Sequence, residues 1–439
     1  MAALEQRLQS ALASRASRQM LRALDPSPPV ASSLVDFSSN DYLSFSRSLL
    51  LRGKLLTAVV DPTTPLYGPP SSRLLDGNTR LHASLEHRLA SFFGAPAALL
   101  FNSGFDANAG LWACLPGPDD WIVHDELVHA SMHDGMRASR VPKERRRAFK
   151  HNRTDDLERV VEEIIARDEG VLMGERSVWV GVESLYSMDG DLAPLREMVE
   201  CVERLLSRGN GHMVVDEAHS TGLYGSKGRG LVSALGLDHR VTVRVHTFGK
   251  AMACSGAAVL GSPLIRQYMI NYARPLIYST VMTHLSALAV VKSVEMLETG
   301  ESEEPAAQVH SLASRLVSRL SSLLPSTSPV SLPPHLLSLS ASTSGTSAHP
   351  GTSPIIPLLT RSPRPLATFL RTRGFLVRPI TYPTVPHGEE RVRVCLHAGN
   401  TQEEVDGLCD AVAEWVGWLL TESMSAEGPR RDPFVSAKL

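Results

Sequence analysis

The sequence shows almost no imbalance of charge. Lys and Arg number 44 against 46 Asp and Glu, a formal net charge of −2 over 439 residues. That removes any bulk electrostatic case for nucleic acid, and no basic DNA-reading module precedes the rest of the chain. Apolar runs are short, none approaching the roughly 20 residues of a membrane span. Cysteine is sparse and scattered: Cys114, Cys201, Cys254, Cys395 and Cys409 are odd in number and form no C-x-x-C pair. They are expected as buried free thiols, neither disulfides nor metal ligands. No signal peptide and no internal repeat is visible. What is present is ordinary globular material, 43% hydrophobic and 21% charged, enough for a large core and two domains.

The chain is organised around residues 213–250. Met213, Val214 and Val215 form a short apolar run that turns polar at Asp216-Glu217-Ala218-His219. A second β-rich run, 241–245, is followed by His246-Thr247-Phe248-Gly249-Lys250. Such runs ending in turn residues read as buried parallel strands. Ligands of open α/β sheets sit beyond the carboxyl ends of these strands. An acid at one strand end and a lysine past another can therefore converge on one ligand. A carboxylate for a pyridinium nitrogen and a lysine for an aldehyde are what pyridoxal phosphate requires.

The flanking sequence repeats strand and helix. Strands are expected at 97–101, 121–123, 178–182 and 256–260, with helices at 82–93, 106–114, 155–167 and 194–206, the pattern of a doubly wound, mostly parallel sheet. Between the first strand and its helix lies Asn102-Ser103-Gly104-Phe105. Backbone N–H groups and the dipole at that helix start suit a phosphate. His129 follows the 121–123 strand, where an imidazole can stack on a flat ring. The basic run Lys143 to Arg147 reads as a solvated loop. Residues 1–24 read as an amphipathic helix with a packing stripe at Leu8, Leu12, Leu21 and Leu24. A long helix at 283–297 leads to a smaller α+β part with strands at 355–359, 375–379 and 391–396 and a closing helix at 403–419. The expected organisation is an N-terminal helix and arm over 1–60, a large cofactor-binding domain over 61–296, a small domain over 297–425 and a flexible tail over 426–439. A Ser/Pro-rich disordered insertion is expected at about 325–352.

Nine motifs in order then identify a family: NDYL at 40–43, SRLLDGN at 72–78, SGF at 103–105, DELVHAS at 125–131, SMDGD at 187–191, VDEAHSTG at 215–222, TFGKA at 247–251, YST at 278–280 and YPTVP at 382–386. Over about 36–419 the chain resembles the pyridoxal-phosphate-dependent α-oxoamine synthases of aminotransferase fold type I. That resemblance implies an acyltransferase that joins a small amino acid to an acyl-CoA, releasing CoA and carbon dioxide. It implies that Lys250 bonds the cofactor's aldehyde carbon and later moves protons at the substrate Cα. Asp216 would hold the ring nitrogen protonated, His129 would stack on the ring, and His219 and Ser187 would reach the ring hydroxyl. Ser103, Gly104 and Phe105, with Thr247, would bind the phosphate. Ser279 and Thr280 would reach the phosphate of a neighbouring subunit in a homodimer with shared sites. Arg393 would grip the amino-acid carboxylate, a task suited to a guanidinium fork, and Arg22 is a candidate for the acyl substrate.

Within the family, SRLLDGN points to the branch that condenses L-alanine with pimeloyl-CoA in biotin biosynthesis. The chain departs from the family's glycine-rich stretch at Gly68-Pro69-Pro70-Ser71, so the loop near the acyl end takes another shape. Two further readings stand beside this one: a secondary-metabolism relative using another acyl thioester, and a non-catalytic partner subunit, against which Lys250, Asp216 and His129 argue. The terminal Ala437-Lys438-Leu439 is a variant of the S-K-L peroxisomal address, and a peroxisomal import receptor is the expected reader.

Overall fold

The computed structural model of the protein describes residues 2–18, 20–22, 34–341 and 352–425. The chain divides into two compact units, Met1–Val35 and Asp36–Leu439.

The second unit is built on a seven-stranded sheet: β1 (Ala97–Phe101), β2 (Trp121–Asp125), β3 (Arg146–Phe149), β4 (Val178–Glu183), β5 (Gly211–Asp216), β6 (Val243–Thr247) and β7 (Ala257–Gly261), in the order β1-β7-β6-β5-β4-β2-β3. Strands β3, β2, β4, β5 and β6 run parallel; β7 is antiparallel to both its neighbours. The expected doubly wound, mostly parallel sheet is thus present. Strand β4 is buried at every position, as a parallel strand covered on both faces must be. A smaller antiparallel sheet orders β9 (Arg378–Ile380), β10 (Arg391–Cys395) and β8 (Ile355–Leu359), with β10 central.

Helices cover the large sheet by the periodicity expected of them. In the helix Thr154–Arg167, Leu157, Val160, Val161 and Ile164 are buried, the i, i+3, i+4, i+7 stripe of one helical face. Burying such side chains stabilises by roughly 1.5–3 kcal/mol each. The core beneath the site packs Leu111 and Trp112 of the helix Gly104–Cys114, and Met132 and Met136 of the helix Ala130–Ala138, against Ile122, Val214, Val243 and Val259 of the strands. The N-termini of these two helices are therefore clamped over the carboxyl edge of the sheet. All five cysteines are free; Cys114, Cys201, Cys395 and Cys409 are buried. Among the described residues no helix is long and apolar enough to cross a membrane, and no cluster of His, Cys, Asp and Glu is arranged to hold a metal ion.

Three expectations are corrected. The run Lys143 to Arg147 is not a solvated loop: Arg146–Phe149 is the edge strand β3, paired in parallel with β2. Its arginines are tied down, Arg147 to Glu163 at 3.1 Å and Arg145 over the Trp121 ring, so the charges decorate an edge where like charges commonly blunt pairing. In the first unit the helix is Ala2–Ser17, ending before Leu21, and Leu4, Leu8 and Leu12 are each more than half exposed; the leucine stripe does not pack, and Leu24 lies outside the described residues. The insertion is ordered through its first half. Val330, Leu332 and Leu336 are buried, Ser331 exchanges backbone bonds with Leu359, and Pro334–Ala341 is a helix. A few apolar residues amid Ser and Pro suffice to anchor it; residues 342–351 lie outside the described residues.

Candidate active site

Five chain segments leave the carboxyl edge of the sheet within reach of one another. Residues Asn102-Ser103-Gly104 follow β1, Asp125 ends β2, Glu183 ends β4, Asp216 ends β5, and Thr247 ends β6 three residues before Lys250. Parallel register sets Glu183 directly beside Asp216. Both are buried, at 4% and 5% exposure.

Asp216 is held by two donors. Its Oδ1 accepts the Ala218 N–H at 2.9 Å and its Oδ2 accepts the Asn108 amide at 2.7 Å. The same Asn108 amide nitrogen donates to Ser131 Oγ at 3.0 Å, and Ser131 Oγ lies 2.8 Å from His129 Nδ1. The Ser131 N–H also donates to His129 Nδ1 at 3.2 Å. Nδ1 is therefore an acceptor, and the proton of the neutral ring sits on Nε2. Burial pushes His129 down from its ordinary pKa; Asp216 opposes this and Lys250 reinforces it. A neutral imidazole fixed at the start of a helix is a flat apolar face, as stacking on a ring demands.

Burial also lowers the pKa of Lys250, with Asp216 and Glu183 pulling it back up and Arg393 adding to the fall. A larger fraction is then free amine, the form that can attack an aldehyde or accept a Cα proton. Glu183 moves the other way. Burial first and the Asp216 charge second raise it well above the usual carboxylate range, while Lys250 pulls it down.

On the opposite side, Tyr42 Oη lies 2.7 Å from His219 Nδ1 and donates to Asn40 Oδ1 at 3.2 Å. Arg393, in β10, donates through Nη2 to Asn40 Oδ1 at 3.0 Å and through Nε to the Ser187 carbonyl at 2.6 Å. Burial, then Lys250, Arg393 and His129, keep His219 neutral. A chain His219–Tyr42–Asn40–Arg393 thus runs from the β5 turn to the small sheet. Ser187 enters it by its main chain; the expected ring-hydroxyl contact is a side-chain role that this bond does not supply.

The turn after β1 presents backbone donors of the kind a phosphate takes. The helix Gly104–Cys114 begins with Ser103 as its cap: the Ser103 hydroxyl accepts from Asp106 N–H and donates to the Asp106 carboxylate. The Ser103 side chain is thereby committed, which leaves the first-turn N–H groups of Gly104 and Phe105, without intrahelical partners, to face outward. A Cβ at Gly104 would come within 2.4 Å of Thr247 Oγ1. Only glycine lets the β6 threonine close on the turn. A cup of backbone donors and one hydroxyl, with a buried acid and an amine of lowered pKa nearby, fits pyridoxal phosphate. When bound, the cofactor supplies an electron-withdrawing ring to a carbon attached to its aldehyde position. Asp216 would hold the ring nitrogen, His129 one ring face, Gly104, Phe105 and Thr247 the phosphate, and Lys250 the aldehyde end.

Ser279 and Thr280 lie beside the phosphate turn of the same chain, the Thr280 carbonyl accepting from the Asn102 amide at 2.8 Å and Thr280 bridging to Ser72. Arg22 is exposed and belongs to the Met1–Val35 unit. Sequence reasoning missed Asn108, Ser131, Glu183, Asn40 and Tyr42 as contributors. Asn40 and Tyr42 lie in NDYL and Ser131 closes DELVHAS; Asn108 has a signal in its place one turn after Gly104 on the same helix.

Known proteins resemble the chain along most of its length. Residues 32–412 match the family described as aminotransferase class I and II. The chain is 44% identical over 411 residues to an 8-amino-7-oxononanoate synthase of Emericella nidulans, covering 93% of this chain and 95% of that one. It is 35% identical over 432 residues to the aminoacyl transferase sphA of Byssochlamys spectabilis, covering 96% and 89%. Among solved structures, a serine palmitoyltransferase of Sphingomonas wittichii superposes with a TM-score of 0.76 at 23% identity, over 94% of this chain and 98% of that one. An 8-amino-7-oxononanoate synthase of Francisella tularensis superposes at 0.66 and 22% identity, over 88% and 99%. The chain therefore belongs to the class I and II aminotransferase family, and within it is a pyridoxal-phosphate-dependent acyltransferase of the α-oxoamine synthase type.

Proposed function

We propose that the protein condenses L-alanine with pimeloyl-CoA to give 8-amino-7-oxononanoate, CoA and carbon dioxide, a step of biotin biosynthesis. The observation that carries this reading is the 44% identity running through nearly the whole of both chains. In the reaction the alanine Cα bonds to the acyl carbon, the thioester C–S bond breaks and the Cα–carboxylate bond breaks. Arg393, fixed through Nε and Nη2, presents its guanidinium to the alanine carboxylate. Lys250 as a free amine accepts the Cα proton and, as the ammonium it then becomes, returns a proton to Cα after carbon dioxide has left. A second reading, condensation with another acyl thioester, is favoured by the 35% identity to sphA and by Pro69-Pro70 in the loop before SRLLDGN. The test is a matrix of amino acids and acyl-CoAs with release of free thiol as the signal. Alanine with pimeloyl-CoA should give the highest kcat/KM; a clear preference for another acyl chain selects the second reading.

The working unit in this proposal is a homodimer with shared sites, Ser279 and Thr280 of one subunit serving the phosphate of the other. Mixing Lys250→Ala with a Thr280 variant should restore activity through hybrid dimers, and a fully active monomer by light scattering would contradict it. The proposed compartment is the peroxisome, read from Ala437-Lys438-Leu439, which lie outside the described residues. An N-terminally tagged protein should be punctate and become diffuse when these three residues are deleted, with activity in vitro unchanged. A diffuse intact fusion rules the address out.

A further inference from the structure

A histidine outside the site carries the inference. His151, in the turn after β3, is clamped between two carboxylates: Nδ1 lies 2.9 Å from Asp125 Oδ1 and Nε2 lies 2.8 Å from Asp191 Oδ2. Carboxylates accept and do not donate, so both ring nitrogens must carry protons and the ring is an imidazolium. Its neighbours reinforce the clamp. The His151 N–H donates to Glu126 Oε1 at 3.0 Å, the Asn152 N–H to Asp125 Oδ2 at 2.8 Å and the Asn152 amide to Asp191 Oδ2 at 2.6 Å. Asn152 reaches both acids from a left-handed backbone, φ 53°, a conformation asparagine tolerates better than most residues. The ring stands edge-on to buried Tyr186, centroids 4.4 Å apart.

Asp125 is completely buried at the end of β2. Asp191 belongs to a tight turn whose stem pairs Leu185 with Leu192, closed by Tyr186 N–H to the Asp191 carbonyl and Gly190 N–H to the Tyr186 carbonyl. A Cβ at Gly190 would come within 2.0 Å of the Ile355 carbonyl, so the turn presses on β8. This turn carries the two carbonyls that hold the arginines of β10: Ser187 accepts from Arg393 Nε at 2.6 Å, and Met188 accepts from Arg391 Nη1 at 3.0 Å. Asp189 pairs with Arg391 as well.

We propose that His151 is a positioning residue for the amino-acid substrate: its cation ties the 185–192 turn to the end of β2, and the turn in turn sets where the Arg393 guanidinium points. This rests on the reading of Arg393 as the carboxylate-binding residue. The groups facing the ring are Asp125 from β2, and Tyr186 and Asp191 from the 185–192 turn, while Glu126 holds the His151 main-chain N–H; His335, of the helix Pro334–Ala341, acts on Asp191 from beyond. The two acids outweigh burial and raise His151 to about 10, so the clamp is closed throughout the neutral range.

The experiment compares wild type, His151→Gln, Arg393→Ala and the double variant as cofactor-loaded full chains. It measures KM for amino acid and for acyl-CoA, and the amino-acid dissociation constant by spectral titration without acyl-CoA. Misplacing a binding group by about an ångström costs on the order of 10–100-fold. H151Q should raise the amino-acid KM and dissociation constant by about that factor, leave the acyl-CoA KM unchanged, and add nothing to R393A in the double variant. A merely structural role would lower thermal stability or cofactor content with both KM values unmoved, and that result overturns the proposal. If R393A itself leaves the amino-acid KM unchanged, the reading of Arg393 fails; if R393A raises it and H151Q does not, the His151 proposal alone fails. Should H151Q not fold, Asp191→Asn, which keeps the shape and removes one charge, is judged by the same two outcomes.

Discussion

Substituting Glu217 by glutamine should abolish a pH dependence of stability, and the structure sets its size. Glu217 follows Asp216 and is fully buried. Its Oε1 accepts from Val232 N–H at 2.9 Å and Ser220 Oγ at 3.0 Å. Its Oε2 lies 3.4 Å from Nε2 of buried His246. The Thr221 hydroxyl donates to the Glu217 carbonyl at 2.6 Å, so its oxygen takes the proton of His246 Nδ1 at 2.9 Å. His246 Nε2 is then a bare lone pair, and burial, followed by the Arg244 charge, keeps the ring neutral. Neither Glu217 Oε2 nor His246 Nε2 has a hydrogen-bond partner among the described residues, so an ionised Glu217 would face an unprotonated ring nitrogen with nothing to offset its charge there. Burial raises Glu217 from 4.5 to about 7, against the Val232 N–H, the Arg244 charge and the Ser220 hydroxyl, which lower it.

The sign follows from linkage. The folded state binds this proton more tightly than the unfolded chain, so the stabilisation is complete below 4.5 and is lost as pH rises through about 7. At about 1.4 kcal/mol per pH unit, the loss across that window is about 3 kcal/mol. Glutamine keeps the shape of the protonated acid and cannot ionise. Urea denaturation of wild type and E217Q at acid pH and at pH about 8.5 should therefore show the variant gaining on wild type by about 3 kcal/mol. A difference in stability that is the same at both pH values would refute the protonated-acid assignment.

Other expectations concern the site itself. Asp216→Asn keeps shape and loses charge; charge-assisted bonds are worth about 1.5–3 kcal/mol, so steady-state turnover should fall roughly tenfold or more, and an unchanged kcat would remove Asp216 from its role. Asn108→Ala breaks the link between Asp216 and Ser131 and leaves a buried acceptor short of a donor, at about 1–3 kcal/mol; the expected result is a lower kcat with folding retained, read by stopped-flow kinetics and circular dichroism. Lys250→Ala should purify folded and lack both the visible cofactor band of the wild type and multiple turnovers; normal turnover would contradict its assignment.

Much of this architecture is legible in the sequence because buried parallel strands announce themselves. Met213-Val214-Val215 and the apolar run at 97–101 have little else to be, and their polar ends at Asp216 and Asn102 mark the carboxyl edge where ligands sit. That edge makes Lys250 and Asp216 candidates, and the ordered motifs around them supply the roles expected of them. Where local pattern misleads, a tertiary partner decides. Lys143 to Arg147 has the composition of a loop, yet β2 offers a parallel edge and Glu163 a counter-charge. The 325–341 stretch has the composition of a disordered segment, yet Val330, Leu332 and Leu336 find cover.

The groups that escape sequence reasoning share one property: each acts through a bond to a residue far away in the chain. Asn108 meets Asp216 across 108 positions, Asn40 meets Arg393 across 353, and His151 meets Asp191 across 40. No spacing rule reaches such distances, since i, i+3 and i+4 describe one helix and i+2 one strand. Their side chains are also of the type that turns and caps use routinely, so each has an ordinary local explanation. Asp216 and Lys250 differ because chemistry restricts what a buried acid and a buried amine can be for. A buried charge without a partner is costly, and two of opposite sign at neighbouring strand ends answer that cost together. The amides and imidazoles that orient them carry no such demand, and only the folded geometry, with its donors counted one by one, separates a positioning residue from a satisfied bystander.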